Sequence, residues 1–331
     1  MRVAFFGVQT WEKNYLAQHL KGITKEFYKS PLTARNAHYA NDCEIISIFI
    51  NSRITPNILE RLPKLKRIIT RSTGFDHIDV DACKKRGVRV ANVPSYGDNT
   101  VAEHTFALIL AVARKLVPSI EKAKRHNYDL RDVRGFDLKE KTLGIVGCGK
   151  IGQNVARIAR GFQMRVLVFD LNKDQKLAKK IGFTYVSLSR LFKESDIISL
   201  HVPFNKHTRH MINTDTITTM KDGVVIINTA RGGIINTDHL IAGLRSGKIR
   251  AAGLDVLESE AMLREESQLL SGKFSPVDMT HLIENNILLT MDNVVVTPHN
   301  AFNSEEAVQR ILDTTIACVK HTTNTHACNV V

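Results

Sequence analysis

The stretch Leu143-Gly144-Ile145-Val146-Gly147-Cys148-Gly149-Lys150-Ile151-Gly152 decides the reading of this chain. An apolar strand runs into a turn with GxGxxG spacing, and an amphipathic helix follows, Gln153 to Phe162. A second strand, Val166–Asp170, ends on an acid 18 residues beyond Gly152. A lone GxGxxG is weak, but strand, glycine turn, helix, strand and terminal acid together form a dinucleotide-binding fingerprint. Gly147 permits the tight turn, Gly149 lets a pyrophosphate approach the backbone, and Gly152 lets helix and strand pack closely. Free N–H groups at the helix N-terminus suit phosphate charge. Asp170 is expected to accept hydrogen bonds from the adenosine ribose hydroxyls and to repel a 2′-phosphate. Leu171 and Asn172 follow it, with no arginine, so NAD is expected rather than NADP.

Outward from this motif, strand-like and helix-like stretches alternate almost end to end, which argues for an α/β protein. Further strands are expected at Ile197–Val202, Val224–Asn228, Ala251–Leu254 and Val294–Thr297, continuous Val/Ile/Leu runs suited to a parallel sheet covered on both faces. Before the motif, strands are expected at Val3–Gly7, Ile45–Ile50, Arg67–Thr70 and Val88–Asn92, with helices including Thr55–Leu62 and Val80–Arg86. Asp79 reads as an N-cap and Gly87 as a C-cap. One long helix is expected from Thr100 to Ala123, kinked at Pro118 and buried between domains or subunits. A closing helix is expected near Ser304–Lys320, and the tail after it is uninformative.

Composition excludes several classes. The apolar runs are too short to span a bilayer, and a buried first strand explains the apolar N-terminus better than a signal peptide does. The five cysteines, Cys43, Cys83, Cys148, Cys318 and Cys328, are odd in number and lack CxxC spacing, so free thiols in a reducing cytoplasm are expected and no metal site. Cys148 reads as a filler of the glycine turn, with a redox-sensitive thiol as the alternative. The formal net charge of +13 suits steering of anionic ligands. No aromatic-interleaved basic stretch accompanies it, which speaks against nucleic acid.

Three polar residues end or follow late strands: Arg231 after Asn228-Thr229-Ala230, Glu260 after Gly253-Leu254-Asp255, and His299 after Thr297-Pro298. In a parallel α/β sheet, groups at carboxyl strand ends converge on the ligand crevice. Reduction of a 2-oxo acid needs such a set. An imidazole protonates the carbonyl oxygen, a carboxylate keeps that imidazole charged and oriented, and a guanidinium grips the substrate carboxylate. Singly, each has a bland reading: Arg231 as a surface ion pair, Glu260 as part of an exposed acidic face from Glu258 to Glu266, His299 as a turn residue.

The chain resembles the D-2-hydroxyacid dehydrogenase family, and within it the D-lactate dehydrogenase branch. The resemblance is carried by Ser72-Thr73-Gly74-Phe75-Asp76-His77-Ile78-Asp79, Asn92-Val93-Pro94-Ser95-Tyr96, Thr100-Val101-Ala102-Glu103-His104, Gly147 to Gly152, His201-Val202-Pro203, Asn228 to Gly232, Gly253 to Val256 and Thr297 to Phe302. It implies a Rossmann-type NAD-binding domain over residues 100–301 and a discontinuous, flavodoxin-like substrate domain from residues 1–99 and 302–331. The crossings near Asn99 and Ala301 would form the hinge. It implies that His299 is the proton donor, Glu260 its partner and Arg231 the substrate-binding arginine. Thr73, Gly74, Tyr96 and Phe302 match substrate-site positions. Lys150, Ile151, Asp170, Val202, Pro203, Thr208, Thr229, Ala230 and Asp255 match cofactor-contact positions. A homodimer through the cofactor domain is implied, and Ile54 matches a position where some lactate enzymes carry an aromatic over the substrate. Pyruvate and D-lactate are the expected pair. The alternatives are another 2-oxo acid (glyoxylate, hydroxypyruvate or a branched acid) and an NAD-sensing corepressor-like protein.

Overall fold

The computed structural model describes residues 1–260, 276–320 and 329–330. The chain forms two compact units, one of Met1–Tyr96 with Asn303–Val331 and one of Gly97–Phe302.

In the first unit, parallel strands β1 (Arg2–Phe6), β2 (Thr24–Tyr28), β3 (Ile45–Ile48), β4 (Arg67–Thr70) and β5 (Arg89–Asn92) lie in the order β2-β1-β3-β4-β5. This is the flavodoxin-like winding. The C-terminal pair Asn329–Val330 adds antiparallel to β5. Helix Glu305–Lys320 joins this unit through side chains at helical spacing, Val308, Ile311, Leu312, Ile316 and Val319, all buried. Leu312, Ile316 and Val319 pack in one cluster with Val3, Phe5, Leu16 and Leu20. The Asp79 carboxylate accepts from the Ala82 N–H at 2.9 Å, and Gly87 takes φ +69, so both caps stand as expected. β2 was not legible, because a charged edge strand with two adjacent apolar residues carries little periodicity.

Arg71 occupies the crest of this sheet. Its guanidinium donates to the Phe6 and Gly7 carbonyls at 2.8 Å each and to Ser47 Oγ at 3.2 Å. It is 2% exposed, and burial pulls its pKa down to about 10. The gap between the ends of β1 and β3, where the winding reverses, is thus filled by a side chain. Ile54 is corrected as a wall over substrate. It is 1% exposed, bridges Ile78 and belongs to the core.

The second unit is a seven-stranded parallel sheet built from β6 (Thr142–Val146), β7 (Arg165–Phe169), β8 (Thr184–Tyr185), β9 (Ile197–Leu200), β10 (Val224–Asn228), β11 (Ile249–Leu254) and β12 (Val294–Val296). The order is β12-β11-β10-β9-β6-β7-β8. Counted from β6 this is the 3-2-1-4-5-6 Rossmann winding with one added strand, and the reversal falls between β6 and β9. Strands β6, β9 and β10 are buried at every residue, as their unbroken apolar runs require.

Two expectations fail here. The long helix is two, Asp98–Ala113 and Leu116–Lys124, separated by Lys115 at φ +47. Pro118 lacks an N–H for the Arg114 carbonyl and its ring would clash there, so the break falls before it and Pro118 sits in a first turn, where no N–H is needed. The apolar face of Asp98–Ala113 covers its own sheet: a Cβ on Gly253 of β11 would lie 3.1 Å from Leu108 Cβ. Free thiols hold for Cys43, Cys83 and Cys148, but Cys318 is disulfide-bonded; Cys328 lies outside the described residues. Among the described residues no helix is long and apolar enough to cross a membrane.

Candidate active site

The glycine turn leaves β6 and opens helix Lys150–Gly161. Gly147 sits at φ +98, and a Cβ there would meet the His201 carbonyl oxygen at 2.5 Å. A Cβ on Gly152 would lie 2.1 Å from the Gly147 carbonyl oxygen. Around Gly149 a Cβ would meet nothing within 4 Å, so this part of the turn faces open space. Turn, packing and approach are therefore divided among the three glycines as their spacing predicts. Asp170 follows β7 and is held beside the turn, accepting from the Cys148 N–H at 2.6 Å and the Asn172 N–H at 2.8 Å. An open backbone, a helix N-terminus and a fixed carboxylate fit a dinucleotide. Burial pushes the Cys148 thiol up, which keeps it protonated and argues against a reactive thiolate.

The ends of β10 and β11 carry the charged residues. Buried Asn228 shapes the turn after β10. Its Oδ1 accepts from the Ala230 N–H at 3.0 Å and its Nδ2 donates to the Arg231 carbonyl at 2.9 Å. Gly232 is needed next, since a Cβ would lie 2.1 Å from the Leu257 carbonyl carbon. Arg231 thereby lies against the segment that leads to Glu260.

Asp255, 1% exposed, organises the loop that bears His299. Its carboxylate accepts from Thr297 Oγ1 at 2.5 Å, the Asn300 N–H at 2.9 Å and the Ala301 N–H at 3.0 Å. His104 Nε2 stands 3.4 Å away and 3.0 Å from Thr297 Oγ1. Burial raises the Asp255 carboxyl, but the bonds from His104, Thr297, Ala301 and Asn300 outweigh it and hold the group below the usual carboxylate range. This carboxylate, matched by resemblance to a cofactor contact, is thus turned to its own loop. Sequence reasoning noted His104 in a motif and gave it no role; Asn228 and Thr297 also went unassigned.

His299 itself sits at φ +54, and its N–H donates to the Asp255 carbonyl at 2.9 Å. Its Nδ1 donates to Glu260 Oε1 at 2.5 Å. Among the described residues Nε2 has no hydrogen-bond partner, so this nitrogen is the one available to pass a proton. The pair expected from sequence is formed.

In the first unit, the Thr73 hydroxyl donates to the Val93 carbonyl at 2.9 Å, and Asn92 Nδ2 donates to the Thr73 carbonyl at 2.7 Å. Among the described residues neither Thr73 nor Gly74 donates its backbone N–H within the chain, which leaves two donors for an anion. Tyr96 is half-buried, with its carbonyl held by Arg310 Nε at 2.7 Å. Phe302, half-buried, belongs to the second unit.

The other matched positions vary in their engagement. Thr229 Oγ1 meets Thr105 Oγ1 at 3.0 Å, and Thr208 Oγ1 donates to the Pro203 carbonyl at 2.6 Å, so both hydroxyls serve the fold. Val202 and Ala230 pack against the core beside exposed Pro203; Ile151 packs against the cluster under the glycine turn. Lys150 is exposed, with Nζ 3.8 Å from Asp98.

A Rossmann-wound sheet with an open glycine turn and a carboxylate-braced imidazole is the equipment of a nicotinamide-dependent dehydrogenase. Residues 106–301 match the family model for the NAD binding domain of D-isomer specific 2-hydroxyacid dehydrogenases. The chain is 35% identical to D-lactate dehydrogenase of Escherichia coli, over 96% of this chain and 95% of that one. It is 38% identical to hydroxypyruvate reductase of Thermotoga maritima, over 82% and 81%. Among solved structures, D-lactate dehydrogenase of Aquifex aeolicus, complexed with NAD and lactic acid, superposes with a TM-score of 0.87 at 38% identity, over 96% and 94%. The chain belongs to the D-isomer specific 2-hydroxyacid dehydrogenases, and it is an enzyme that uses NAD.

Proposed function

We propose that the enzyme interconverts pyruvate and D-lactate, with His299 as proton donor, Glu260 as its brace and Arg231 as the substrate clamp. The observation that carries this reading is the 2.5 Å contact between His299 Nδ1 and Glu260 Oε1, which leaves Nε2 unengaged. In the direction of reduction, NADH supplies the hydride. His299 Nε2 gives its proton to the carbonyl oxygen, and Glu260 at Nδ1 holds the imidazole in place for that transfer. The Arg231 fork grips the substrate carboxylate. Gly147, Gly149 and Gly152 would cradle the pyrophosphate, and Asp170 would take the adenosine ribose.

The substrate is tested by a panel of 2-oxo acids with NADH. Pyruvate is expected to give the highest kcat/KM, with graded activity on 2-oxobutyrate, because an apolar pocket discriminates one methylene by only ~1–3 kcal/mol. Best activity on hydroxypyruvate, the substrate in the name of the Thermotoga relative, would replace the pyruvate reading. A corepressor-like role has no need of the His299–Glu260 pair.

A homodimer is part of the proposal. Leu116, Val117 and Ile120 on helix Leu116–Lys124 are exposed, as are Tyr128 and Leu130 just after it, a concentration of apolar surface that suits a second copy. Sedimentation would show a monomer if this is wrong. The cytoplasm is the compartment proposed, supported by free Cys43, Cys83 and Cys148 and opposed by disulfide-bonded Cys318, and cell fractionation tests it.

A further inference from the structure

Glu258 opens the acid-rich run whose bland reading is an exposed face. It is instead 13% exposed and tied on several sides. Its Oε1 accepts from His210 Nε2 at 2.7 Å and its Oε2 from Thr237 Oγ1 at 3.1 Å. Its carbonyl accepts from Asn285 Nδ2 at 2.8 Å. From helix Pro276–Thr290, His281 Nδ1 stands 3.8 Å from Oε2 and bonds Glu284 at 3.2 Å.

Two residues on, Glu260 turns the other way, to His299. Ser259 between them sits at φ +54, a left-handed conformation that a serine adopts only when its neighbours are fixed. His210 is itself at φ +49, and its backbone N–H donates to the Gly233 carbonyl at 2.9 Å, within the turn that follows Arg231. His210 therefore touches the Arg231 turn through its backbone and the Glu260 segment through its ring. Gly232 against Leu257 closes the same triangle from the other side.

We propose that Glu258 and His210 are positioning residues for the reaction: their contact anchors the Glu258–Ser259–Glu260 reversal and so sets Glu260 against His299 and both against Arg231. Neither touches the reacting atoms. The inference rests on the reading of Glu260 and His299 as the proton-transfer pair.

The test uses the enzyme and five variants: Glu258→Ala, His210→Ala, the two alanines combined, Glu258→Gln and, as reference, Glu260→Gln. Glu258→Ala is expected to lower kcat by about ten- to a hundredfold, the range in which small misplacements of catalytic groups act. KM for the 2-oxo acid should change less than kcat, and NADH binding, read by fluorescence, should stay within about twofold. The pH dependence of the reduction rate should change as it does in Glu260→Gln, because in both the contact at His299 Nδ1 is lost. His210→Ala should do the same, and the double alanine variant should be no worse than the poorer single one, since both remove one contact. Glu258→Gln keeps one acceptor and should fall between; it decides by the same readouts if the alanine variant does not fold. A Glu258 variant with the parent's kcat and pH profile, or one that loses kcat with the profile unmoved while Glu260→Gln moves it, overturns the positioning role. If Glu260→Gln itself leaves the profile unmoved, the proton-transfer reading fails instead.

Discussion

Asp255→Asn is the substitution whose cost can be worked most fully from the structure. The aspartate is 1% exposed and accepts from Thr297 Oγ1, the Asn300 N–H and the Ala301 N–H, with His104 Nε2 3.4 Å from Oδ1. Thr297 and Asn300 share Oδ1, and Ala301 bonds Oδ2. Asparagine keeps one acceptor oxygen, so whichever way its amide is turned, an N–H₂ faces a buried donor. Hydrogen bonds to a charged group are worth about 1.5–3 kcal/mol each, and a buried donor left unpaired costs a further ~1–3 kcal/mol. The expected loss of unfolding free energy is therefore about 3–5 kcal/mol, measured by denaturant titration. The carboxyl is held below its unfolded value, so its contribution is present above the ordinary aspartate value of about 4 and fades as pH falls through the lower folded value. The gap between parent and variant should shrink in acid accordingly. Since the His299 N–H bonds the Asp255 carbonyl in the same loop, kcat should also fall. A variant within about 1 kcal/mol of the parent, with unchanged kcat, would refute the account of Asp255 as the organiser of that loop.

Three further substitutions address the chemistry. His299→Ala should reduce kcat by about 10²–10⁴-fold with NADH affinity preserved; near-full activity would remove His299 from the mechanism. Arg231→Lys keeps the charge and loses the planar fork, so both KM for the 2-oxo acid and kcat should worsen, and unchanged constants would contradict the clamp. Asp170→Ala should erode the preference for NADH over NADPH, compared by kcat/KM in both proteins, because the repelling carboxylate is gone; a parent enzyme that favours NADPH would contradict the assignment.

The nucleotide-binding unit was legible because its signals are local. GxGxxG, the buried strand before it and Asp170 lie within one strand–helix–strand unit, and each glycine meets a steric demand that sequence spacing encodes. The caps at Asp79 and Gly87 were legible for the same reason. The break at Lys115 is not legible, because a proline reads equally as a kink inside one helix and as part of the first turn of another. Glu258 carried no expectation of its own, because nothing in an acid-rich run marks which acid is tied down; its partners His210, Thr237 and His281 come from three other segments. Ile54 was not legible as a core residue, because its burial comes from the bridge to Ile78 and not from a local pattern. Arg71 carried no signal at all, as a buried guanidinium satisfied by neutral groups, main-chain carbonyls and the Ser47 hydroxyl, has no sequence pattern.

The proposed reduction of pyruvate to one hand of lactate is read from the configuration of the product. The enzyme is incubated with NADH and pyruvate, and the product is resolved by chiral chromatography. The account predicts D-lactate, formed in step with NADH consumption. L-lactate, or no NADH consumption at all, would contradict it.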